Sequence, residues 1–332
     1  MERRDVIVMG GSAGAHAALR TLLARLPTDL PAKVLVVTHL APGARSTLAQ
    51  MLSKDCALPV SAAVDGEPAR NGHVYVAVPD RHLIIDDDSI LRLTAGPREN
   101  RARPAADALF RAAARWCGPR VAGVVLSGSL DDGAAGLAAI AQHGGAALVQ
   151  DPDEARFPGM PAAALSAVPS AVTAPAAGLA RLIAEMAGRP VGDAGQPDPA
   201  LVWETDMIAE GHTEGAVPSK PIALSCPDCG GGMYEIRTGQ AVHYACHVGH
   251  SWSPQTFVAA TDHSIETALW TAVSAMQEKV TMLRNLAANA ERAGDEQACH
   301  TYRDESDRVG RDAELIRTTI LDNESAADQR PA

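Results

Sequence analysis

Four unbroken apolar runs punctuate the first half of the chain: Val6–Met9, Val34–Val37, Val121–Leu126 and Ala146–Val149. A strand with one wet face alternates apolar and polar residues, whereas a strand covered on both faces reads as continuous apolar sequence. Stretches with helical spacing lie between the runs. Leu19, Leu22, Leu23 and Leu26 share one side of a helix, and further helical segments span 46–53 and 107–116 and begin again at Ala134. His73–Val78 and Leu83–Leu93 read as shorter strands around the turn at Pro79-Asp80. Such alternation predicts a doubly wound, mostly parallel α/β sheet with helices on both faces, occupying residues 1–186.

The remaining sequence changes character. Residues 187–220 are broken by Pro190, Gly192, Gly195, Pro197, Pro199, Gly211, Gly215 and Pro218 with little periodicity, and read as a linker. Residues 221–258 form a short Cys/His-rich module. Residues 262–321 lack proline and carry Ile265, Leu269, Ala272, Met276, Leu283 and Leu286 at helical steps. Gly294-Asp295 then stops one helix and caps the next, which predicts a helical hairpin. Two such hairpins pair into a homodimer on one reading; on the other, the hairpin packs on its own chain. Residues 322–332 are expected to be a disordered tail.

Charge and cysteine usage exclude several classes. The 332 residues carry a formal net charge of −11, which argues against binding nucleic acid or a membrane surface by bulk charge. No apolar run approaches the ~20 residues of a membrane span. The N-terminus enters the first strand without a signal-peptide pattern, so secretion and membrane embedding are not expected. Cys56, Cys117 and Cys299 stand alone while Cys226, Cys229 and Cys246 cluster. That pattern suits a cytoplasmic protein with a metal site better than a disulfide framework.

Gly10-Gly11-Ser12-Ala13-Gly14 fits G-x-S-x-G between a strand and a helix, a tight turn that presents a serine hydroxyl at the carboxyl edge of a sheet. Amides at the helix start can face an oxyanion there. The second strand ends at His39, followed by Pro42-Gly43, and the third leads into Ser127-Gly128-Ser129-Leu130-Asp131-Asp132-Gly133. A serine needs a base, and the base needs a group that orients it. His39 and one of the two aspartates supply these types at neighbouring strand ends. The simpler alternatives are a turn histidine and a helix-capping aspartate. A P-loop is excluded by the absence of Gly-Lys-Ser/Thr, and the dinucleotide glycine spacing is absent.

These residues resemble the catalytic domain of the CheB protein-glutamate methylesterases over about 190 residues. The likeness is carried by Gly11-Ser12-x-Gly14, His39-x-x-Pro42-Gly43, Asp65-Gly66-Glu67 and Gly72-His73-x-Tyr75-x-Ala77. It continues through Asn100-Arg101-x-Arg103-Pro104-x-x-Asp107-x-Leu109-Phe110, Asp132-Gly133-Ala134-Ala135-Gly136 and Gly159-Met160-Pro161. The resemblance implies a triad of Ser12, His39 and Asp132, oxyanion contacts around Ala13, Gly14 and Ser129, and no catalytic cofactor. It implies hydrolysis of glutamate γ-methyl esters on chemoreceptor or related signalling proteins, with glutamine deamidation in some members. Arg101 and Arg103 lie in the matched block and become candidate contacts for an acidic receptor helix. Ala13 stands where the family usually has threonine, and Ser127-Gly128-Ser129-Leu130 where it has Thr-Gly-Met-Gly. A receiver domain ahead of the first strand is not expected, nor regulation by phosphorylation within the chain. A repurposed, weakly active signalling adaptor is the competing reading.

Cys226-Pro-Asp-Cys229 and Cys246-His-Val-Gly-His250 flank two short strand candidates, Tyr234–Ile236 and Val242–Tyr244. Two Cys/His pairs separated by a hairpin suit tetrahedral zinc, with Cys226, Cys229, Cys246 and His250 as ligands and His243 in reserve. His247 adjoins Cys246, and neighbours on a strand point apart. A redox C-x-x-C pair is the alternative. Between Ile222 and Val258 only Asp228, Glu235 and Arg237 are charged, which is no phosphate-binding surface. The module resembles the Cys/His-rich extension of some CheB-like proteins that lack a receiver, and the zinc is expected to be structural.

Overall fold

The computed structural model describes residues 2–40, 43, 47–213 and 215–327, the last five as backbone only. Pro42 and Ser46, used above, lie outside the described residues. The chain divides into two compact units, residues 1–257 and 258–332.

In the first unit a seven-stranded parallel sheet contains β1 (Val6–Gly11), β2 (Lys33–Thr38), β3 (Val60–Ala62), β4 (Val74–Val76), β7 (Val121–Val125), β8 (Ala146–Gln150) and β9 (Val172–Ala174). Their spatial order is β3-β4-β2-β1-β7-β8-β9. A separate antiparallel pair, β5 (His82–Ile85) and β6 (Leu91–Thr94), stands outside that sheet. The helices are α1 (Ala15–Leu23), α2 (Leu48–Leu52), α3 (Ala106–Cys117), α4 (Ala134–Gln142), α5 (Gly159–Ala167) and α6 (Ala176–Met186).

The double burial read from the sequence is visible residue by residue in β1. Val6 and Val8 pack among Leu109, Phe110, Leu137 and Ile140 of α3 and α4. Ile7 and Met9 point the other way, among Leu19, Leu22, Leu179 and Ile183 of α1 and α6. Each such side chain removed from water contributes about 1.5–3 kcal/mol. The sheet's two sides are therefore equivalent in polarity, and its carboxyl edge is where polar function collects. Edge strands β3 and β9 are three residues each and none of these is fully buried, so they give no apolar run to read.

The stretch read as a linker holds α7 (Pro199–Glu210), capped by the Asp198 side chain accepting from the Ala200 amide at 2.7 Å. Pro199 sits in its first turn, a starter rather than a breaker. Leu201, Trp203, Glu204, Thr205, Met207 and Ile208 of α7 are buried. Buried residues on more than one side blur the helical stripe, which hides this helix in the sequence. An antiparallel ribbon follows, ordered β10 (Pro221–Ser225), β11 (Gly232–Thr238), β12 (Ala241–Cys246) and β13 (Ser251–Trp252).

The second unit is the expected hairpin. Helix α8 (Pro254–Ala293) begins in the first unit and α9 spans Glu296–Ala327. Gly294 adopts φ 74° between them, and the Asp295 carboxylate accepts the Ala298 amide at 2.9 Å. Val273, Val280, Leu283 and Ala287 are buried on α8, and Cys299, Val309, Ala313 and Ile320 on α9. Ile265 and Leu286 lie exposed, so the seam is rotated from the apolar stripe first read. Residues 322–327, expected in the disordered tail, continue α9, since no glycine or proline interrupts the chain before Pro331. Residues 328–332 lie outside the described residues. Among the described residues no helix is long and apolar enough to cross a membrane.

Candidate active site and metal knuckle

Ser12, His39 and Asp132 come together at the carboxyl edge of β1, β2 and β7. Ser12 Oγ is 3.0 Å from His39 Nδ1, and His39 Nε2 is 2.7 Å from Asp132 Oδ2. The carboxylate accepts the proton on Nε2, which leaves Nδ1 as the acceptor facing the serine. Burial pulls the His39 pKa down, but the hydrogen bond and charge of Asp132 outweigh it and the net shift is upward. Burial alone would raise Asp132, yet its bond to His39, the imidazolium charge and two backbone amides hold it below the ordinary carboxylate value. Those amides belong to Ala106 and Asp107, which donate at 2.7 and 3.0 Å from the start of α3. A helix N-terminus favours an ionised carboxylate. The neighbouring Asp131 takes no part in this relay.

The nucleophile turn relies on missing side chains. Gly14 adopts φ 77°, and a Cβ there would stand 2.7 Å from Ser127 Oγ and 3.1 Å from Arg156 Cβ. Gly128 runs so close that a Cβ would collide with the Met160 sulfur and lie 3.0 Å from Ser12 Cβ. That closeness brings the Gly128 backbone beside the serine. The Ser127 hydroxyl ties these loops together, donating to Ala13 O at 2.8 Å and accepting the Phe157 amide at 3.1 Å. The Ser12 amide donates to Ser127 O at 2.9 Å, and Gly128 exchanges backbone bonds with Phe157 and Met160. Neither Ser127 nor the amides of Ala106 and Asp107 were singled out in the sequence; a hydroxyl at a strand end is the one signal for the first, and backbone donors leave none. The arrangement can pass a proton from Ser12 to His39 and stabilise the imidazolium that results.

The two arginines differ. Arg103 donates to Ala95 O and Gly96 O at 2.9 and 2.8 Å and to Asp80 Oδ1 at 2.9 Å, so its fork braces the loop before α3. Those bonds occupy the guanidinium of Arg103, the residue expected as a substrate contact. Arg101 keeps a side chain 42% exposed, with Nε 3.6 Å from Asp228 and its guanidinium over the Trp252 ring.

The ribbon gathers Cys226, Cys229, Cys246 and His250, whose ligand atoms all lie within 4.8 Å of one another. Cys229 and Cys246 sulfurs are 3.7 Å apart, and His250 Nδ1 is 3.8 and 3.7 Å from the Cys226 and Cys246 sulfurs. Tetrahedral Zn–S bonds of about 2.3 Å require sulfurs separated by roughly 3.8 Å, so the donor set fits that geometry. His243 is engaged elsewhere: its Nε2 donates to Glu204 on α7 at 2.6 Å. His247 packs against Gly231 outside the donor cluster.

The CheB methylesterase family pattern matches residues 7–183. This chain belongs to the CheB methylesterase family. A putative-class relative in Leptospira interrogans, carrying the name protein-glutamate methylesterase/protein-glutamine glutaminase, is 37% identical over 49% of this chain and 84% of its own length. Proteins of that name from Chromohalobacter salexigens and Yersinia pestis are each 38% identical over 50% of this chain, which spans 48% of their length. The CheB methylesterase catalytic domain of Thermotoga maritima superposes with a TM-score of 0.53 at 28% identity, covering 56% of this chain and 99% of that one. The shared part is the CheB sheet and its helices. The ribbon and hairpin lie beyond the family match.

Proposed function

We propose that this chain is a protein-glutamate methylesterase in which Ser12 is the nucleophile, His39 the base and Asp132 the residue that orients and charges the base. The observation that carries the reading is the unbroken Ser12–His39–Asp132 relay in a CheB family member. Ser12 Oγ gives its proton to His39 Nδ1 and attacks the ester carbonyl. Amides around Ala13, Gly14 and Ser129 receive the oxyanion. The C–O bond breaks, methoxide takes the proton from His39 and leaves as methanol. Water, deprotonated by His39, then attacks the acyl-serine and releases the glutamate carboxylate. The same cycle on a glutamine amide expels ammonia. No catalytic cofactor enters these steps.

The substrate class we infer is a methylated chemoreceptor or related signalling protein, met in the cytoplasm, with Arg101 as the cation facing its acidic helix. Arg156 joins it: it is exposed, and its Cβ borders the nucleophile turn. The ribbon's donors would hold a structural zinc, Cys226, Cys229, Cys246 and His250 closing its four positions. Exposed Trp270, Met282, Leu315 and Leu321 on the C-terminal helices support homodimerisation through the hairpin. Nucleic acid is not a partner in this reading. An active-site serine probe tests the chemistry: wild type should label and Ser12→Ala should not, while unlabelled wild type would overturn the assignment.

A further inference from the structure

The ribbon meets the catalytic part at several places, one of them the turn at Asn100 and Arg101. Asn100 and Arg101 adopt φ 49° and 62°, left-handed conformations that residues with a Cβ occupy only when held there. The turn closes on itself, Ala102 N donating to Glu99 O at 2.7 Å, and the ribbon and the first turn after it add further contacts. Ser251 O accepts the Asn100 amide at 2.8 Å. Asn100 Oδ1 accepts the Ser253 amide at 2.8 Å and the Thr256 hydroxyl at 2.5 Å. Asp228, between the two cysteines of the knuckle, faces Arg101, and Trp252, two residues past His250, lies under its guanidinium.

A second tie runs beneath the loop. Glu99 pairs with Arg111 of α3, Arg111 Nε is 3.6 Å from Glu204 of α7, and Glu204 accepts from His243 of β12. All four side chains are at most 4% exposed. Buried charges are stable only when paired; Arg111 pairs with both carboxylates, and the ribbon adds the His243 donor to the outer one. Helix α3 is the element whose first amides hold Asp132.

We propose that the Cys/His ribbon is a positioning element of the esterase site: it fixes Arg101 where acidic substrate is read, and through His243, Glu204 and Arg111 it clamps the helix that cradles Asp132. The proposal rests on the esterase reading above. A tethered, independent ribbon would meet the sheet through rim contacts, whereas this one supplies a hydrogen-bond donor to a buried ion cluster and hydrogen-bonds the turn that carries Arg101. Holding Arg101 also addresses a difficulty: an acidic chain must present a fixed cation to bind an acidic helix.

The test measures kcat and KM of the full-length protein on a methylated acidic receptor helix and on a small neutral ester, with bound metal quantified in each variant. Asn100→Ala should raise KM for the acidic helix about five- to tenfold and leave the neutral ester's kinetics within about twofold. His243→Ala should lower kcat on both substrates about tenfold and move the acid limb of the pH profile, with His243→Gln restoring much of the loss by donating to Glu204. Should His243→Ala fail to fold, Asn100→Ala decides alone. Equal effects of Asn100→Ala on both substrates, or none on either, would overturn the proposal. If wild type hydrolyses the neutral ester while the variants match it, positioning fails and the esterase reading stands; if wild type hydrolyses neither ester, both fall.

Discussion

Replacing Asp132 with asparagine alters one atom and should remove nearly all activity. The carboxylate is buried and both oxygens are taken: Oδ2 accepts from His39 Nε2 and the Ala106 amide, and Oδ1 from the Asp107 amide. Asparagine offers one acceptor oxygen. If that oxygen faces His39, the NH2 group opposes the Asp107 N–H, a buried donor pair that costs about 1–3 kcal/mol. If it faces Asp107, the NH2 group opposes Ala106 and drives the imidazole to its other tautomer, with the proton on Nδ1 and no base toward Ser12. A triad forced into the wrong tautomer loses about 10⁴ in kcat, roughly 5.4 kcal/mol of barrier. Turnover of a small ester and of methylated receptor both report it. Asp131→Asn is the control, since the His39 bond and both α3 amides go to Asp132 while the Asp131 carboxylate bonds Ser253, and it should stay within about threefold of wild type. An Asp132→Asn enzyme within tenfold of wild type, or a larger loss in Asp131→Asn, would refute the assignment of roles.

Three further outcomes follow from the same geometry. Activity should rise with pH as His39 loses its proton; Asp132 lifts the imidazole pKa above its ordinary 6.5, so the kcat/KM profile should reach half-height above that value, and a midpoint below it would contradict the pairing. Glu204→Ala leaves Arg111 one counter-charge short and His243 without its acceptor in a buried site, which should destabilise the fold by about 3–5 kcal/mol and lower Tm by roughly 10 °C in a calorimetric scan. Chelation should release about one zinc per chain and expose the buried Trp252 of β13, seen as a red shift of its fluorescence; unchanged emission after metal removal would argue against a metal-built ribbon.

What the sequence made legible was whatever leaves a local pattern. Strands buried on both faces announce themselves as apolar runs, and Ser12 and His39 stand at the ends of two of them. The choice of Asp132 over Asp131 came from the family resemblance, and the physical reason appears only in three dimensions, where α3 points its first amides at one carboxylate and not the other. Helix α7 escaped because Trp203 and Met207 are buried on one side and Leu201 and Thr205 on the other, so no single stripe marks it. The three-residue edge strands leave no run at all. Contacts across long sequence distances, such as His243 with Glu204 or Ser253 with Asn100, carry no local signature, and with them went the joining of ribbon and sheet into one unit.

The central claim is that Ser12 attacks a glutamate methyl ester. Methanol released from a methylated receptor fragment measures that step directly. Wild type should release it steadily, and Ser12→Ala, with the fold and the ribbon intact, should release none above the uncatalysed rate. Equal release by the two proteins, or none by either from a receptor that another methylesterase demethylates, would contradict the account.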